Sequence, residues 1–184
     1  MLPDNLDLWS VIYPFLLAFW IMIPAYVPNS AAAVFGGGRP IDGGKNWSDG
    51  RRIFGEGKTW RGFIGGVLSG IIFGILLIVI ENFFGWSIQT LLSVILLSLG
   101  ALLGDLVKSF FKRRLDKKRG EEWLIADQYD LVAGSMLLVF VFDYGWAVQH
   151  ITIAVLICIL VITPLLHRGV NIIGYMIGVK DVPW

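Results

Sequence analysis

The sequence predicts an all-α integral membrane protein of five transmembrane helices, with the N-terminus outside, the C-terminus cytoplasmic and two long cytoplasmic loops. Three observations predict it. First, 56% of the 184 residues are hydrophobic and only 16% are charged, with a mean hydropathy of +0.72; a soluble domain carries about 25% charged residues. Second, the apolar residues are segregated into blocks of the roughly 20 residues that cross a bilayer. Third, the 15 Lys and Arg fall only in segments that alternate with cation-free ones. Disorder, a collagen-like chain and a disulfide-rich secreted scaffold are excluded. The single cysteine, Cys158, sits in an apolar run, can form no internal disulfide and reads as packing. The chain reads as one polytopic membrane domain, 1–184, with a Gly-rich loop at 36–61 and a basic loop at 105–130.

The first span is Leu8 to Val27, free of charge. A signal peptide would need a basic leading region, whereas Asp4 and Asp7 precede this one. Pro14 and Pro24 should bend or end a helix locally. Asn29 and Ser30 end the span, either as a helix stop after Pro28 or as ligand contacts. The second span, Gly62 to Ile80, carries Gly62, Gly66, Gly70 and Gly74 at every fourth residue. Such a ridge admits a close neighbour, which places this span at the bundle centre or at the seam of a homodimer. The third span is Trp86 to Gly104. The fourth, Trp123 to Phe142, is apolar from Leu131 onward but carries Asp127 and Asp130 near its start. The fifth, Trp146 to Leu166, contains Pro164. Trp9, Trp86, Trp123 and Trp146 stand at span edges, as interfacial tryptophans do.

The cations set the orientation. Six lie between spans one and two, seven between spans three and four, and Arg168 and Lys180 follow span five. The N-terminus and the turns at Glu81 to Gly85 and Asp143 to Gly145 have none. The positive-inside rule puts both long loops and the C-terminus in the cytoplasm, so soluble-phase chemistry belongs on that face.

The first loop, Gly36 to Arg61, has eight glycines among its 26 residues, interleaved with six cations. Backbone N–H groups of Gly-rich turns form anion sites, and neighbouring cations add charge. A flexible linker would have no need of Pro40, Trp47, Phe54 and Trp60. Gly57-Lys58-Thr59 resembles the end of a Walker A loop, but Arg52 stands where that loop needs glycine. Lys58 and Thr59 at a helix start remain suited to phosphate. The strongest signal is acidic. Asp105 falls just past span three, and Asp127 and Asp130, three residues apart, share a helix face at the start of span four. Hard oxygen ligands with no His or Cys nearby suit Mg²⁺ rather than zinc; the alternative is that the acids cap the helix and pair with loop cations. Between them, Lys108 to Arg119 holds seven cations and one acid, Asp116. Such a run sets topology and holds anionic head groups; flanked by acids, it also supplies the pairing that phosphoryl or nucleotidyl transfer requires. His150 and His167 are expected at opposite membrane faces, so they build neither a metal site nor a triad.

Ser109-Phe110-Phe111-Lys112-Arg113, then Lys118, then Asp127-Gln128-Tyr129-Asp130, resembles the signature of the membrane CTP:phosphatidate cytidylyltransferases. Lys58-Thr59-Trp60-Arg61-Gly62-Phe63-Ile64-Gly65-Gly66 resembles their upstream stretch. Gln128 replaces an arginine of that pattern, Arg61 replaces a glutamate, and the gap before Asp127 is short. These departures, the short chain and the Gly-rich loop are similar to the archaeal branch, the CDP-archaeol synthases. The resemblance covers roughly residues 29 to 134. It implies Mg²⁺-dependent transfer of a cytidylyl group from CTP to an unsaturated archaeal ether lipid phosphate, with release of pyrophosphate. It further implies metal on Asp105, Asp127 and Asp130. The triphosphate would fall to Lys112 and Arg113, helped by Lys58, Thr59, Lys108 and Ser109, and the nucleotide to Asp42, Gly44 and Lys45, with Asn29 on the substrate side. The partners implied are CTP, the lipid phosphate and membrane lipid, with no nucleic acid.

Two rivals fit less well. A CDP-alcohol phosphotransferase would show D-G-x-x-A-R and acids four residues apart, which Asp49-Gly50-Arg51-Arg52 and Asp127/Asp130 do not match. A transporter would place its acids at mid-bilayer and leave the Gly-rich loop unused.

Overall fold

The computed structural model describes residues 7–117 and 121–178; Asp4, Lys118, Arg119 and Lys180, used above, lie outside the described residues. Its helices are α1 (Leu8–Val34), α2 (Trp60–Phe84), α3 (Leu91–Arg114), α4 (Leu124–Phe142), α5 (Tyr144–His150) and α6 (Ile153–Met176). All but α5 are long and apolar enough to cross a membrane. Among the described residues there is no β-strand, only the isolated bridges Pro40–Thr59 and Asn46–Arg52.

Several helix limits differ from the sequence expectation. α1 runs unbroken through Pro14, Pro24 and Pro28, so Asn29 and Ser30 lie inside it rather than at its end. Proline removes one backbone donor and orphans the carbonyl four residues before it. At Pro28 that carbonyl is Pro24 O, and the Ser98 hydroxyl of α3 donates to it at 3.0 Å. α3 does not stop at Gly104 but continues to Arg114. Lys and Arg are good helix formers, and Lys112, Arg113 and Arg114 in the last turn oppose the negative end of the dipole. The stretch 105–130 is therefore not one loop: its first ten residues belong to α3 and its last seven to α4. The fifth span begins at Ile153, and Trp146 falls in the separate helix α5. Trp146 is not an interfacial residue but is buried, donating from Nε1 to Ile88 O at 2.7 Å.

Three close helix contacts hold the bundle. The α2 ridge is filled within one chain: a Cβ on Gly66 would stand 2.7 Å from Pro28 O of α1 and 2.8 Å from Leu102 of α3. Gly70 meets Pro24 O and Ser98 in the same way. The most buried span is α3, not α2. The tightest seam joins α3 to α4, where a Cβ on Gly104 would overlap the Asp130 carbonyl oxygen and one on Gly134 would overlap that of Gly100. Ser135 reinforces this seam by donating to Leu97 O at 2.8 Å. At the end of the bundle away from the cations, Glu81 is only 1% exposed. Its carboxylate accepts from Trp20 Nε1 at 2.6 Å, Ile88 N at 3.0 Å and Gln89 N at 2.8 Å, so it pins the α2–α3 turn to α1.

The Gly-rich loop is folded around Asp42, whose side chain is fully buried. Gly44 N, Phe54 N and Gly55 N donate to its two oxygens at 3.0 to 3.1 Å, and Arg52 Nη2 donates at 2.7 Å. Burial alone would push this carboxyl up, but the Arg52 guanidinium and the three backbone donors outweigh it and hold it well below the usual carboxylate range. The loop docks on the last turns of α3. Arg114 Nε lies 2.7 Å from Asp49 Oδ2, its guanidinium carbon is 4.6 Å from the Phe110 ring centroid, and Trp47 meets Phe110 edge-on at 5.3 Å.

Two outcomes follow. Gly134→Ala should cost about 1–3 kcal/mol through forced separation of α3 and α4, whereas Gly145→Ala, with open space around it, should cost almost nothing; equal denaturation midpoints in detergent would contradict the seam. Because the folded-state value of Asp42 is lowered, its stabilisation is complete above the ordinary carboxylate value of about 3.9. It is lost as pH falls through the lowered value. Amide exchange across 42–55 should therefore stay slow from pH 7 down to about pH 4 in the wild type, and be fast throughout that range in Asp42→Asn.

Candidate functional site

The α3–α4 seam decides where the charged groups meet. Gly104 touches the backbone of Asp130, so the next residue, Asp105, faces the start of α4 at the same depth. One turn on, Lys108 points into the gap. Its Nζ lies 3.1 Å from Asp105 Oδ1, 3.1 Å from Asp127 Oδ1 and 2.6 Å from Asp130 Oδ2. One oxygen from each of three carboxylates thus converges on a single ammonium. Lys58, just ahead of α2, pairs with the other oxygen of Asp105. Lys112 Nζ sits 2.7 and 2.8 Å from the two oxygens of Asp127, and Trp123 N donates to Asp127 Oδ2 at 2.7 Å, closing the first turn of α4. Three carboxylates face three ammonium groups, so the cluster is close to neutral. Its members are largely shielded, with side-chain exposures from 2% at Asp130 to 30% at Lys58. Ions taken this far out of water persist only when paired this way.

The sequence reading and the geometry meet in most places. Asp105, Asp127, Asp130, Lys58, Lys108 and Lys112 come together, although Asp105 and all the α3 cations are helical rather than in a loop. Lys108, grouped from the sequence with the phosphate ligands, is the hub of the carboxylates. Arg113 lies beside the loop, 3.9 Å from where a Cβ on Gly55 would be, and its Nε is buried without a hydrogen-bond partner among the described residues. Ser109 is buried in α3. Thr59 is the N-cap of α2, accepting from Gly62 N at 3.1 Å. Asp42 spends both oxygens inside the loop, Gly44 N is one of its donors, and Lys45 is exposed. Asn29 stands apart, in a cleft between α1 and α6. Missing from the sequence reading were Arg114 and Asp49, which seat the loop, and the glycines of the α3–α4 seam. The spacing of Gly100 and Gly104, four apart like the α2 ridge, was the available signal.

The donor set can be tested against a divalent ion. Among the described residues no group of three or more His, Cys, Asp or Glu stands at metal-holding spacing; the three acids are spread around Lys108 instead. Mg²⁺, however, is usually held by one or two carboxylates with water and substrate phosphates. Asp130 Oδ2 is buried, close to Lys108 in charge terms but with no aligned hydrogen-bond donor. A hard, buried, under-satisfied oxygen one turn from Asp127 fits such an ion.

The chain matches the family model described as "CarS-like: CDP-archaeol synthase" over residues 9–184. A CDP-archaeol synthase of Methanosphaerula palustris is 61% identical over 166 residues, covering 89% of this chain and all of the relative. One of Methanoculleus marisnigri is 63% identical over 166 residues with the same coverage. A solved structure described as an intramembrane enzyme for archaeal membrane lipids biosynthesis is 34% identical. It superposes with a TM-score of 0.73 and covers 86% of this chain and 94% of its own. With five membrane-length helices, a charged centre at the α3–α4 seam and this similarity along nearly its whole length, the chain is a multi-pass membrane protein of the CDP-archaeol synthase family.

Proposed function

We propose that the protein transfers a cytidylyl group from CTP to 2,3-bis-O-geranylgeranyl-sn-glycerol 1-phosphate, releasing pyrophosphate, in a Mg²⁺-dependent reaction. One observation carries this reading: three carboxylates meet around Lys108 beside Lys58, Lys112 and Arg113, whose Nε is buried without a hydrogen-bond partner among the described residues. Carboxylates interleaved with ammonium and guanidinium groups are the donor set that a metal–nucleotide complex requires. Family membership supports the choice of nucleotide and lipid.

The roles divide by environment. Asp127 and Asp130, with Asp105, would hold the metal, which supplies charge neutralisation at the phosphates being cleaved. Lys112 and Arg113 would bind the β- and γ-phosphates and stabilise the leaving pyrophosphate, with Lys58 exchanging Asp105 for a phosphate oxygen. Lys108 would keep the three acids from flying apart before substrate arrives. The lipid phosphate oxygen attacks the α-phosphorus in line, forming the new O–P bond as the bond to pyrophosphate breaks. A phosphate monoester is already anionic at neutral pH, so no general base is needed. The loop around Asp42 would cover the nucleotide; its buried carboxylate acts on the loop's shape rather than on CTP. By the positive-inside rule, the cation-rich end of the bundle would face the cytoplasm, where CTP is.

Purified protein with labelled CTP, Mg²⁺ and the lipid phosphate should release pyrophosphate and form a CDP-lipid. Asp127→Asn and Asp130→Asn should each lower kcat by about 10²-fold or more. Absence of turnover with this and other lipid phosphates would end the reading, and full activity in both variants would end the metal assignment.

A further inference from the structure

Lys108 is bound differently from the other two ammonium groups of the charged centre. Its Nζ takes one oxygen from each acid: Asp105 Oδ1 at 3.1 Å, Asp127 Oδ1 at 3.1 Å and Asp130 Oδ2 at 2.6 Å. Lys58 pairs with Asp105 and Lys112 with Asp127, one acid each. Lys112 also donates to Glu121 O at 2.7 Å, outside the cluster. We propose that Lys108 is a resident cation of the metal site: its ammonium stays among the three acids when one divalent ion binds, while Lys58 and Lys112 leave them for phosphate. The inference rests on the transferase reading and sets the number and kind of cations at its centre.

Position separates the lysine that stays from the two that leave. Lys108 follows Gly104 by four residues, so both lie on the α3 face that packs against α4. Its stem therefore rises inside the seam, with 14% of the side chain exposed, and among the described residues these three acids are its only ion-pair partners. Withdrawing it would strand a shielded charge and leave the acids facing one another. Lys58, by contrast, stands ahead of α2 at the end of the Gly-rich loop, with 30% of its side chain exposed. Lys112 lies in the last turn of α3, where its bond to Glu121 O already draws it toward the segment that follows.

The carboxylate oxygens point to one divalent ion. Lys108 holds one oxygen of each acid, and Asp130 Oδ1 accepts from Leu131 N at 2.6 Å. Release of Lys58 and Lys112 opens Asp105 Oδ2 and Asp127 Oδ2. Asp130 Oδ2 has no aligned donor, so it keeps a lone pair beside Lys108. With one divalent ion in place of two ammonium charges, the acids, Lys108 and the ion sum to zero, and two freed ammonium groups face the triphosphate. A second divalent ion would need the oxygens that Lys108 holds.

The test uses the whole protein in detergent, with bulky tetramethylammonium as the background cation. Electron paramagnetic resonance with CTP present should count one bound Mn²⁺ per wild-type chain, unchanged by methylammonium. Lys108→Ala opens a space for a small cation; it should bind two Mn²⁺ per chain and return to one when methylammonium is added. Its cytidylyl transfer should fall by about 10²-fold and recover by about tenfold with methylammonium. Lys108→Met, which fills the space without the charge, should not be rescued. Two Mn²⁺ per chain in the wild type would overturn the resident cation. So would tighter Mn²⁺ binding by Lys108→Ala with no response to methylammonium, or equal rescue of Lys108→Met. If Lys108→Ala does not fold, the wild-type count decides. The expected counts and methylammonium response without any cytidylyl transfer by the wild type would sustain the resident cation and overturn the transferase reading. Wild-type transfer matched by Lys108→Ala in tetramethylammonium alone would do the reverse.

Discussion

The contact of α3 with α4 through Gly100, Gly104 and Gly134 is the constraint on which the charged centre depends. Two helices bearing acids on facing surfaces repel unless a cation lies between them. Lys108 is that cation, and it reaches all three carboxylates only because the glycines bring the backbones into contact. The same closeness shields the cluster, and shielding strengthens every charge interaction inside it. A neutral, pre-assembled set of acids and ammonium groups is stable without substrate. Exchange of one cation for another within that set changes its charge little, which suits the proposed uptake and release of a metal–nucleotide complex.

The surrounding elements serve that centre from three directions. Asp42 turns a glycine-rich segment into a defined cap, and Arg114, Asp49 and the Trp47–Phe110 contact dock it on the end of α3. The α2 ridge presses that helix onto α1 and α3, which brings Lys58 to Asp105. α6 is tied to α1 through Tyr26 and Thr163 at 2.9 Å and to α4 through Tyr129 and Leu160 O at 3.0 Å, with a small cleft between these helices. At the opposite end Glu81 and its three donors hold α1, α2 and the α2–α3 turn together.

Much of this was legible in the sequence for physical reasons. Membrane spans are written as long apolar blocks because lipid tolerates nothing else, and all five appear near their expected places. The pairing of Asp127 with Asp130 was visible because charge inside such a block is costly. The limits of α1 and α3 were not. Proline ends a helix by default, and the partner that takes up the carbonyl left free by Pro28 is Ser98, 70 residues away in the chain. The α3 cations read as a loop because charge marks the end of a span, yet a helix can leave the apolar layer and go on. The role of Asp42 was hidden as well, since its partners Arg52, Phe54 and Gly55 meet it only after the loop has closed.

Everything chemical in this account requires that the acids gathered by Lys108 share one divalent ion with the nucleotide. Electron paramagnetic resonance of Mn²⁺ substituted for Mg²⁺ tests this directly. With wild-type protein and CTP, the bound ion should show hyperfine coupling to phosphorus, and Asp130→Asn should abolish its protein-dependent signal. Mn²⁺ that binds with unchanged affinity and spectrum when Asp105, Asp127 and Asp130 are all replaced by Asn would contradict the account.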